Sequence, residues 1–176
     1  MNKLIKILIL FILLILLTAG NVSADTAVVG SSAQLQARAI YEESDFREAT
    51  LRNFLEGYNS PLAGYSKEFI SIADEYGLDW RLVPAITGVE STFGKRIPFN
   101  SYNAYGWANG AYSFESWEDS IEIVSKALRK NYIDRGAESI GEIARIYAPP
   151  SKTWAGKVKF FMKKINPLPL TFTLEG

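Results

Sequence analysis

The sequence has 176 residues and contains no histidine and no cysteine. These absences exclude Ser-His-Asp and Cys-His catalysis, thiol redox chemistry, zinc fingers and iron–sulfur sites. Acid, base or nucleophilic chemistry must therefore come from carboxylates, hydroxyls, tyrosines or lysines. The 19 basic and 19 acidic residues balance, so the composition gives no overall basic signature, and we expect no nucleic-acid partner.

Residues 1–24 are typical of an export signal. Lys3 and Lys6 form a basic start, residues 7–17 are an unbroken apolar run, and small residues lead up to Ala24. The apolar run is shorter than the roughly 20 residues that a membrane-spanning helix needs. We therefore expect cleavage near Ala24 and a secreted, extracytoplasmic protein. The alternative is a retained signal that anchors the chain, which would be its only membrane contact.

The rest of the chain is long enough for one domain with its own core, since about 150 residues bury most of their apolar surface on folding. We divide it into a leader and N-terminal helical arm at 25–62, a main domain at 63–166 and a C-terminal tail at 167–176. The break at Asn59, Ser60 and Pro61 motivates the first boundary.

The spacing of apolar residues predicts a mainly α fold built as a bundle of short helices. Residues 32–58 have a helical pattern, and Asp45 is a candidate N-cap for a helix over 46–57. Five further helices are predicted over residues 67–76, 80–92, 117–131, 140–147 and 154–165. The candidate N-caps of the first four are Ser66, Asp79, Ser116 and Ser139, the last of these in a capping box with Glu142. Gly77 is the expected C′ residue of the helix at 67–76, and Pro167 stops the last helix.

Residues 95–115 are the segment without helical spacing. They are consistent with a short hairpin or with an irregular loop, and no strand pattern of comparable strength occurs elsewhere. The fold class is therefore mainly α, with an α+β arrangement if the hairpin forms.

Glu90 is the most unusual acid in the sequence. It follows Val83 by seven residues and Ile86 by four, which places it on the apolar side of its predicted helix. A carboxyl group in an apolar pocket has a raised pKa, because burial disfavours its charged form. Such a group stays protonated near neutral pH and can donate a proton.

The same helix contains two residues that disfavour helices, Pro84 and Gly88. Local exceptions of this kind gather at functional sites. An alternative interpretation is that Glu90 forms a structural ion pair with Lys95 or Arg96, and the spacing alone does not decide between the two.

Residues 99–117 form an aromatic-rich segment interleaved with amides. It holds Phe99, Tyr102, Tyr105, Trp107, Tyr112, Phe114 and Trp117, together with Asn100, Asn103 and Asn109. Aromatic rings cover the C–H faces of sugars, and amides bind sugar hydroxyls. We interpret the segment as a sugar-binding loop with Tyr105 and Trp107 as contacts. The alternative is that most of these rings are core, which the helical spacing of Trp117 favours for that residue.

No second catalytic acid stands out. Residues 91–114 contain no Asp or Glu. The next acids, Glu115, Glu118 and Asp119, flank a predicted helix start, where the helix dipole alone favours acids.

Two segments around Glu90 resemble the lysozyme-like lytic transglycosylases and the related bacterial glucosaminidases. They are residues 76–86, YGLDWRLVPAI, and residues 88–94, GVESTFG. In these families a helix ends in Glu-Ser-x-Phe/Trp-Gly, and its Glu is the catalytic acid. The resemblance therefore implies a lysozyme-like fold, a catalytic Glu90 and a supporting role for Ser91.

Three later segments extend the resemblance to about residues 63–166. Residues 103–107, NAYGW, are similar to the Asn-x-x-Gly segment that lines the sugar cleft, and residues 113–117 resemble an aromatic stretch that opens the next helix. Residues 144–151, ARIYAPPS, resemble a late motif whose Tyr approaches the catalytic Glu. The expected site has Glu90 and Tyr147 as catalytic residues and Ser91, Phe93, Asn103, Tyr105, Gly106 and Trp107 as substrate-binding residues.

The resemblance implies cleavage of the β-1,4 bond between N-acetylmuramic acid and N-acetylglucosamine, so that peptidoglycan glycan strands are the expected partner. A lytic transglycosylase needs one carboxylate, whereas ordinary glycoside hydrolases use two. The single acid favours the transglycosylase. A glucosaminidase-type hydrolase stays open, as does a wall-binding module without activity, because the family's Gly-Leu-Met-Gln string is absent. A structural envelope protein that assembles through residues 33–62 is a third alternative. We expect a monomer that requires no cofactor and no metal.

Overall fold

The computed structural model describes residues 34–35 and 46–166, and residues 46–166 lie in one compact unit. Within these residues the regular structure is entirely helical, which confirms the mainly α prediction. No helix in this part of the chain combines the length and apolar character that a membrane crossing requires. The predicted signal at 1–24, the cap Asp45 and the tail at 167–176 lie outside the described residues.

Residues 46–166 form six α-helices. Helix α1 covers residues 46–57, α2 Ser66–Glu75, α3 Leu82–Ser91, α4 Trp117–Ala127, α5 Ile140–Tyr147 and α6 Trp154–Ile165. A π-helical turn, Leu128–Tyr132, continues α4, and 3-10 turns lie at Ala63–Tyr65, Trp107–Gly110 and Ile133–Arg135. Residues 95–115 form an irregular loop rather than a hairpin.

Three of the predicted helix ends are confirmed. The Ser116 hydroxyl accepts the N–H of Asp119 at the start of α4, and the Ser139 hydroxyl accepts the N–H of Glu142 at the start of α5. The Ser139 hydroxyl also donates to the Glu142 carboxylate at 2.9 Å, and the Ser139 backbone N–H bonds the same carboxylate, which completes the capping box. These bonds lower the pKa of Glu142, the hydroxyl bond most strongly. Gly77 follows α2 with φ +58°, as expected of a C′ glycine.

Two predicted N-caps are wrong. Ser66 lies inside α2, because the 3-10 turn before it runs directly into the helix, and its hydroxyl donates to the Ala63 carbonyl. Helix α3 begins at Leu82 rather than near Trp80, because the Asp79 carboxylate binds the backbone N–H and the guanidinium of Arg81.

The later start of α3 changes the interpretation of Pro84. Its position is the third residue of the helix, where a backbone N–H has no partner within the helix. The first hydrogen bond of α3 runs from the Ala85 N–H to the Arg81 carbonyl at 3.0 Å. Pro84 therefore fits its helix without cost and is not a local exception.

Helix α3 is the centre of the domain and packs most extensively against α6. All of its residues from Leu82 to Gly88 are buried, and so are Val158 and Met162 of α6. Arg81 is itself buried and donates to the backbone carbonyl of Asn166 at 3.0 Å. This contact ties the start of α3 to the end of α6.

Helix α1 belongs to the same core. Leu51, Leu55 and Leu62 are completely buried in it, and the Arg47 guanidinium binds both carboxylate oxygens of Asp74 on α2. The compact unit therefore includes residues 46–62, which differs from the predicted division between an arm at 25–62 and a domain at 63–166.

Gly88 is needed for packing between α3 and the segment that follows it. A Cβ atom at this position would lie 2.5 Å from Cε1 of Phe93 and 3.1 Å from Cδ2 of Phe161. The Phe93 ring is buried and contacts the ring of Tyr58 at a centroid distance of 4.4 Å. The glycine costs helix propensity, and in return the Phe93 ring can lie directly on the helix backbone.

Candidate active site

Glu90 is the penultimate residue of α3, and its side chain is exposed. Val83 and Ile86, on the same stripe of the helix, are buried as expected. Glu90 departs from the predicted burial because the helix ends one residue later. Its carboxylate lies beside Gly106 of the irregular loop and Trp154 of α6 rather than beneath another helix.

Trp154 is the first residue of α6 and is buried. Its indole N–H donates to Oε1 of Glu90, with 2.6 Å between Nε1 and the oxygen. A short hydrogen bond to a charged acceptor is stronger than one between neutral groups. The bond fixes the orientation of a carboxylate that is otherwise open to solvent.

The environment of Glu90 raises the pKa of its carboxyl group. Desolvation by the surrounding protein atoms is the largest cause, although the residue as a whole is exposed. The hydrogen bond from Trp154 and the positive charge of Lys157 act in the opposite direction and are smaller. The result is an acid that solvent or a ligand can reach and that holds its proton to a higher pH than an ordinary glutamate.

The structure does not support the alternative of an ion pair between Glu90 and Lys95 or Arg96. Lys95 donates instead to the backbone carbonyl of Tyr58 at 2.6 Å. Glu90 takes part in none of the ion pairs formed by residues 46–166.

Gly106 borders the carboxylate directly. It adopts φ +65°, and a Cβ atom at this position would lie 3.2 Å from Oε2 of Glu90. A left-handed backbone favours glycine, and here a side chain would also intrude on the acid. Gly106 is exposed, so this side of the carboxylate is open.

Asn103 shapes the loop that carries Gly106. Its side-chain amide donates to the carbonyls of Trp107 and Tyr112, both at 2.9 Å, and its oxygen accepts the Trp107 N–H at 2.9 Å. Asn103 is buried, and these bonds use its hydrogen-bonding groups within the loop. It therefore positions the loop and does not offer its amide to a sugar as the sequence suggested.

Ser91 connects the end of α3 to the same loop. Its buried hydroxyl lies 2.9 Å from the Ala104 carbonyl and 3.0 Å from the Thr87 carbonyl, and it accepts the Gly94 N–H at 2.9 Å. The expectation of substrate contact is corrected here, because this hydroxyl is enclosed by backbone. Its role is to hold the helix that carries Glu90 against the loop that carries Gly106.

The chain leaves α3 through three consecutive left-handed residues. Thr92, Phe93 and Gly94 have φ values of +54°, +58° and +76°. A β-branched residue rarely adopts this conformation, so Thr92 is strained. Ser91 holds one side of the reversal, and the Ser60 hydroxyl donates to the Phe93 carbonyl at 2.8 Å on the other.

Two further residues expected to bind substrate are buried instead. Phe93 and Tyr105 expose 0% and 1% of their surfaces, so their rings are core rather than sugar contacts. Burial raises the pKa of the Tyr105 hydroxyl. Trp107 is half-buried, and its ring packs edge-on against Phe114 at a centroid distance of 6.3 Å. Gly106, the preceding residue, is exposed and is the loop residue that lies against Glu90.

Tyr147, at the end of α5, reaches the site through Trp154. The two rings stack with centroids 4.9 Å apart and planes inclined by 28°, and the Tyr147 hydroxyl donates to the Tyr105 carbonyl at 2.7 Å. Burial is the main cause of its strongly raised pKa, followed by the negative charge of Glu90. Tyr147 therefore lies within electrostatic range of Glu90, while Trp154 makes the hydrogen bond.

Trp154 is the site residue that sequence reasoning missed. Its spacing with Val158, Phe161, Met162 and Ile165 correctly indicated the inner face of the last helix, and that pattern is the same for any core tryptophan. Nothing in the spacing shows that the indole N–H points at an acid 64 positions earlier.

Comparison with models of protein families and with curated proteins finds no match for this chain. In the part of the chain that the structure describes, no cluster of three or more acidic side chains could hold a metal ion.

Proposed function

We propose that the chain is an exported, lysozyme-like lytic transglycosylase that cleaves the β-1,4 bond between N-acetylmuramic acid and N-acetylglucosamine in peptidoglycan. The observation that carries this proposal is the state of Glu90. Its carboxyl is accessible, has a raised pKa, is oriented by Trp154 and faces the side-chain-free surface of Gly106. These are the requirements of a general acid that works on a polymer bound from outside.

In the proposed reaction Glu90 first acts as the acid. It gives its proton to the glycosidic oxygen, and the bond between that oxygen and C1 of the muramic sugar breaks as an oxocarbenium-like centre develops. The Glu90 carboxylate then takes the proton of the same sugar's C6 hydroxyl, whose oxygen bonds to C1. The product is a 1,6-anhydro ring, and Glu90 ends the cycle protonated.

A lytic transglycosylase needs one carboxyl group, and Glu90, held by Trp154 beside Gly106, can supply it. An ordinary glycoside hydrolase needs a second carboxylate about 5 to 9.5 Å away. Residues 91–114 contain no Asp or Glu, which favours the transglycosylase. A glucosaminidase-type hydrolase that uses the substrate's own N-acetyl group is the second candidate, because it also needs one acid.

The proposed substrate contacts are fewer than the sequence suggested. Gly106 lies against the acid and is exposed. Trp107 follows it in the same loop, and its partly exposed indole suits the apolar face of a sugar ring. Export, with signal cleavage near Ala24, and action as a monomer on glycan strands complete the proposal.

Product analysis tests this function. Purified protein is incubated with purified peptidoglycan, and the released fragments are analysed by mass spectrometry. Anhydro-muramic ends are the expected result. Reducing ends would replace the proposal with a hydrolase, and protein that sediments with the wall without releasing fragments would replace it with a binding module.

A further inference from the structure

We propose that Trp154 is a positioning residue that determines which carboxyl oxygen of Glu90 carries the transferable proton. The inference rests on the proposed function for its catalytic meaning. The hydrogen bond between Trp154 and Glu90, however, exists in the free protein and can be measured without any substrate.

The indole side chain of tryptophan has a single hydrogen-bonding group. The Nε1–H group can donate and cannot accept. With Nε1 2.6 Å from Oε1 of Glu90, that oxygen must be an acceptor in both protonation states of the acid. When Glu90 is neutral, its proton therefore resides on Oε2.

Oε2 is the oxygen that faces the loop glycine. The nearest atoms to a Cβ built on Gly106 are Oε2, at 3.2 Å, and the carboxyl carbon, at 4.0 Å. No side chain of Gly106 covers that oxygen, so the proton is presented on the open side of the carboxyl group. A glycosidic oxygen must approach from this direction to receive it.

The indole can select an oxygen only if the indole itself is fixed. Trp154 is buried, and its backbone N–H donates to the Ser151 hydroxyl at 3.2 Å. The ring of Tyr147 stacks on it, and the Tyr147 hydroxyl is held by the Tyr105 carbonyl. The orientation of Glu90 is thus set by a series of contacts that begins at buried Tyr105 in the irregular loop 95–115. The Tyr105 carbonyl holds Tyr147, Tyr147 stacks on Trp154, and Trp154 binds Glu90.

Trp154→Phe separates positioning from simple tuning of acidity. The phenyl ring keeps an aromatic contact for Tyr147 and removes the N–H donor. Loss of this hydrogen bond raises the pKa of Glu90 further, since desolvation remains and only the charge of Lys157 still opposes it. If Trp154 acted only by setting the pKa of Glu90, Trp154→Phe would extend activity to higher pH without lowering its maximum. If Trp154 positions the carboxyl group, the variant has a lower kcat at every pH.

The first experiment observes the hydrogen bond directly by NMR of the four indole N–H groups. Trp154→Phe assigns the signal, and the pH is varied from about 3 to about 8, across the usual range of glutamate. We expect the Trp154 signal to titrate in the wild-type protein and to stop titrating in Glu90→Gln. Trp80→Phe is the matched control and leaves the Trp154 titration unchanged.

A Trp154 signal that ignores pH, or that still titrates in Glu90→Gln, would overturn the inference. Because Glu90 is exposed, we expect Glu90→Gln to leave the core intact. The comparison of wild type with Glu90→Gln therefore tests the hydrogen bond even if Trp154→Phe fails to fold. The Trp154 signal can then be identified by elimination, using Phe substitutions of the other tryptophans.

The second experiment measures peptidoglycan cleavage. In Trp154→Phe we expect kcat to fall by about 10- to 100-fold with little change in KM, while the basic limb of the pH profile moves to higher pH. Unchanged kcat and an unchanged pH profile in a folded variant would overturn the inference and leave the proposed function standing. If wild type shows the NMR titration but no cleavage, the positioning geometry is supported and the proposed function is the part that fails.

Discussion

The indole N–H of Trp154 donates to the carboxylate of Glu90 across 64 positions of sequence. This bond joins the two helices that pack most extensively against each other, since Trp154 opens α6 and Glu90 lies at the end of α3. The acid is therefore oriented by the core of the domain, although Glu90 as a residue is exposed. Rigid elements hold a functional group more accurately than loops do, and here they hold the residue that we propose as the catalytic acid.

Gly106→Ala is expected to impair cleavage through contact with Glu90. The new methyl group would lie 3.2 Å from Oε2, so the carboxylate must shift, and we expect kcat/KM to fall roughly 10- to 100-fold. Gly136→Ala is the control, because Gly136 also has positive φ, at +93°, and a Cβ there meets nothing within 4 Å. Both variants should lose about 1 kcal/mol in urea unfolding. Equal activity in the two would contradict the role given to Gly106.

Ser91→Ala is expected to destabilise the domain. The substitution leaves backbone groups of Ala104 and Gly94 without a buried partner, which costs about 1–3 kcal/mol in the free energy of unfolding. Ser71→Ala is the control, since the Ser71 hydroxyl makes one exposed bond to the Glu68 carbonyl; its effect should stay within about 0.5 kcal/mol. A Ser91→Ala protein of normal stability that binds glycan weakly would instead favour direct substrate contact.

Gly88→Ala should destabilise the protein even though alanine favours helices. Its Cβ would lie 2.5 Å from the Phe93 ring, and overpacking of this kind costs about 1–3 kcal/mol. Gly156→Ala, in α6, meets nothing within 4 Å and should stabilise by roughly 0.5–1 kcal/mol. Thermal unfolding of the two variants measures both effects, and a stabilised Gly88→Ala would refute the packing explanation.

The raised pKa of Glu90 predicts how stability depends on pH. Because the folded state binds this proton more tightly than the unfolded state, the contribution of Glu90 is fully present below its unfolded pKa of about 4.3 and is lost as pH rises through the folded pKa. Glu90→Gln removes the titration. Its stability relative to wild type should therefore increase as pH rises from about 4 and then level off. Urea unfolding of both proteins across this range provides the check, and a difference that stays constant or changes in the opposite direction would contradict the raised pKa.

The helices were largely predictable from the sequence because their apolar residues recur with helical spacing. The buried residues Ile121 and Val124 in α4, and Val158 and Met162 in α6, all lie where that spacing places them. The caps at Ser116 and Ser139 were also predicted correctly. Each serine directly precedes the first residue of its helix, so its hydroxyl can accept a backbone N–H of the first turn. The start of α3 was not predictable, because the buried carboxylate of Asp79 binds Arg81 instead of capping the helix.

Glu90 could be singled out from the sequence as a candidate, whereas the contacts around it could not be predicted. Glu90 stood out because an acid on an apolar helix stripe is unusual, although the end of the helix exposes it. An aromatic residue near the candidate site can be either a core residue or a ligand contact, and its sequence position does not distinguish the two. Phe93 and Tyr105 are buried, so both are core residues. Contacts between distant parts of the chain, such as that of Trp154 with Glu90, depend on how α6 docks on α3, which local spacing does not encode.

The most direct test of the central claim compares Glu90→Gln with Glu115→Gln in a peptidoglycan cleavage assay. Glu90 is held by Trp154 beside Gly106, whereas Glu115 is an exposed residue at the start of α4 whose backbone N–H donates to Asp119. Both substitutions replace a carboxyl group with an amide of nearly the same size, and both proteins should fold. We expect Glu90→Gln to abolish fragment release and Glu115→Gln to cleave as wild type does. Full activity in Glu90→Gln would contradict the assignment of Glu90 as the catalytic acid.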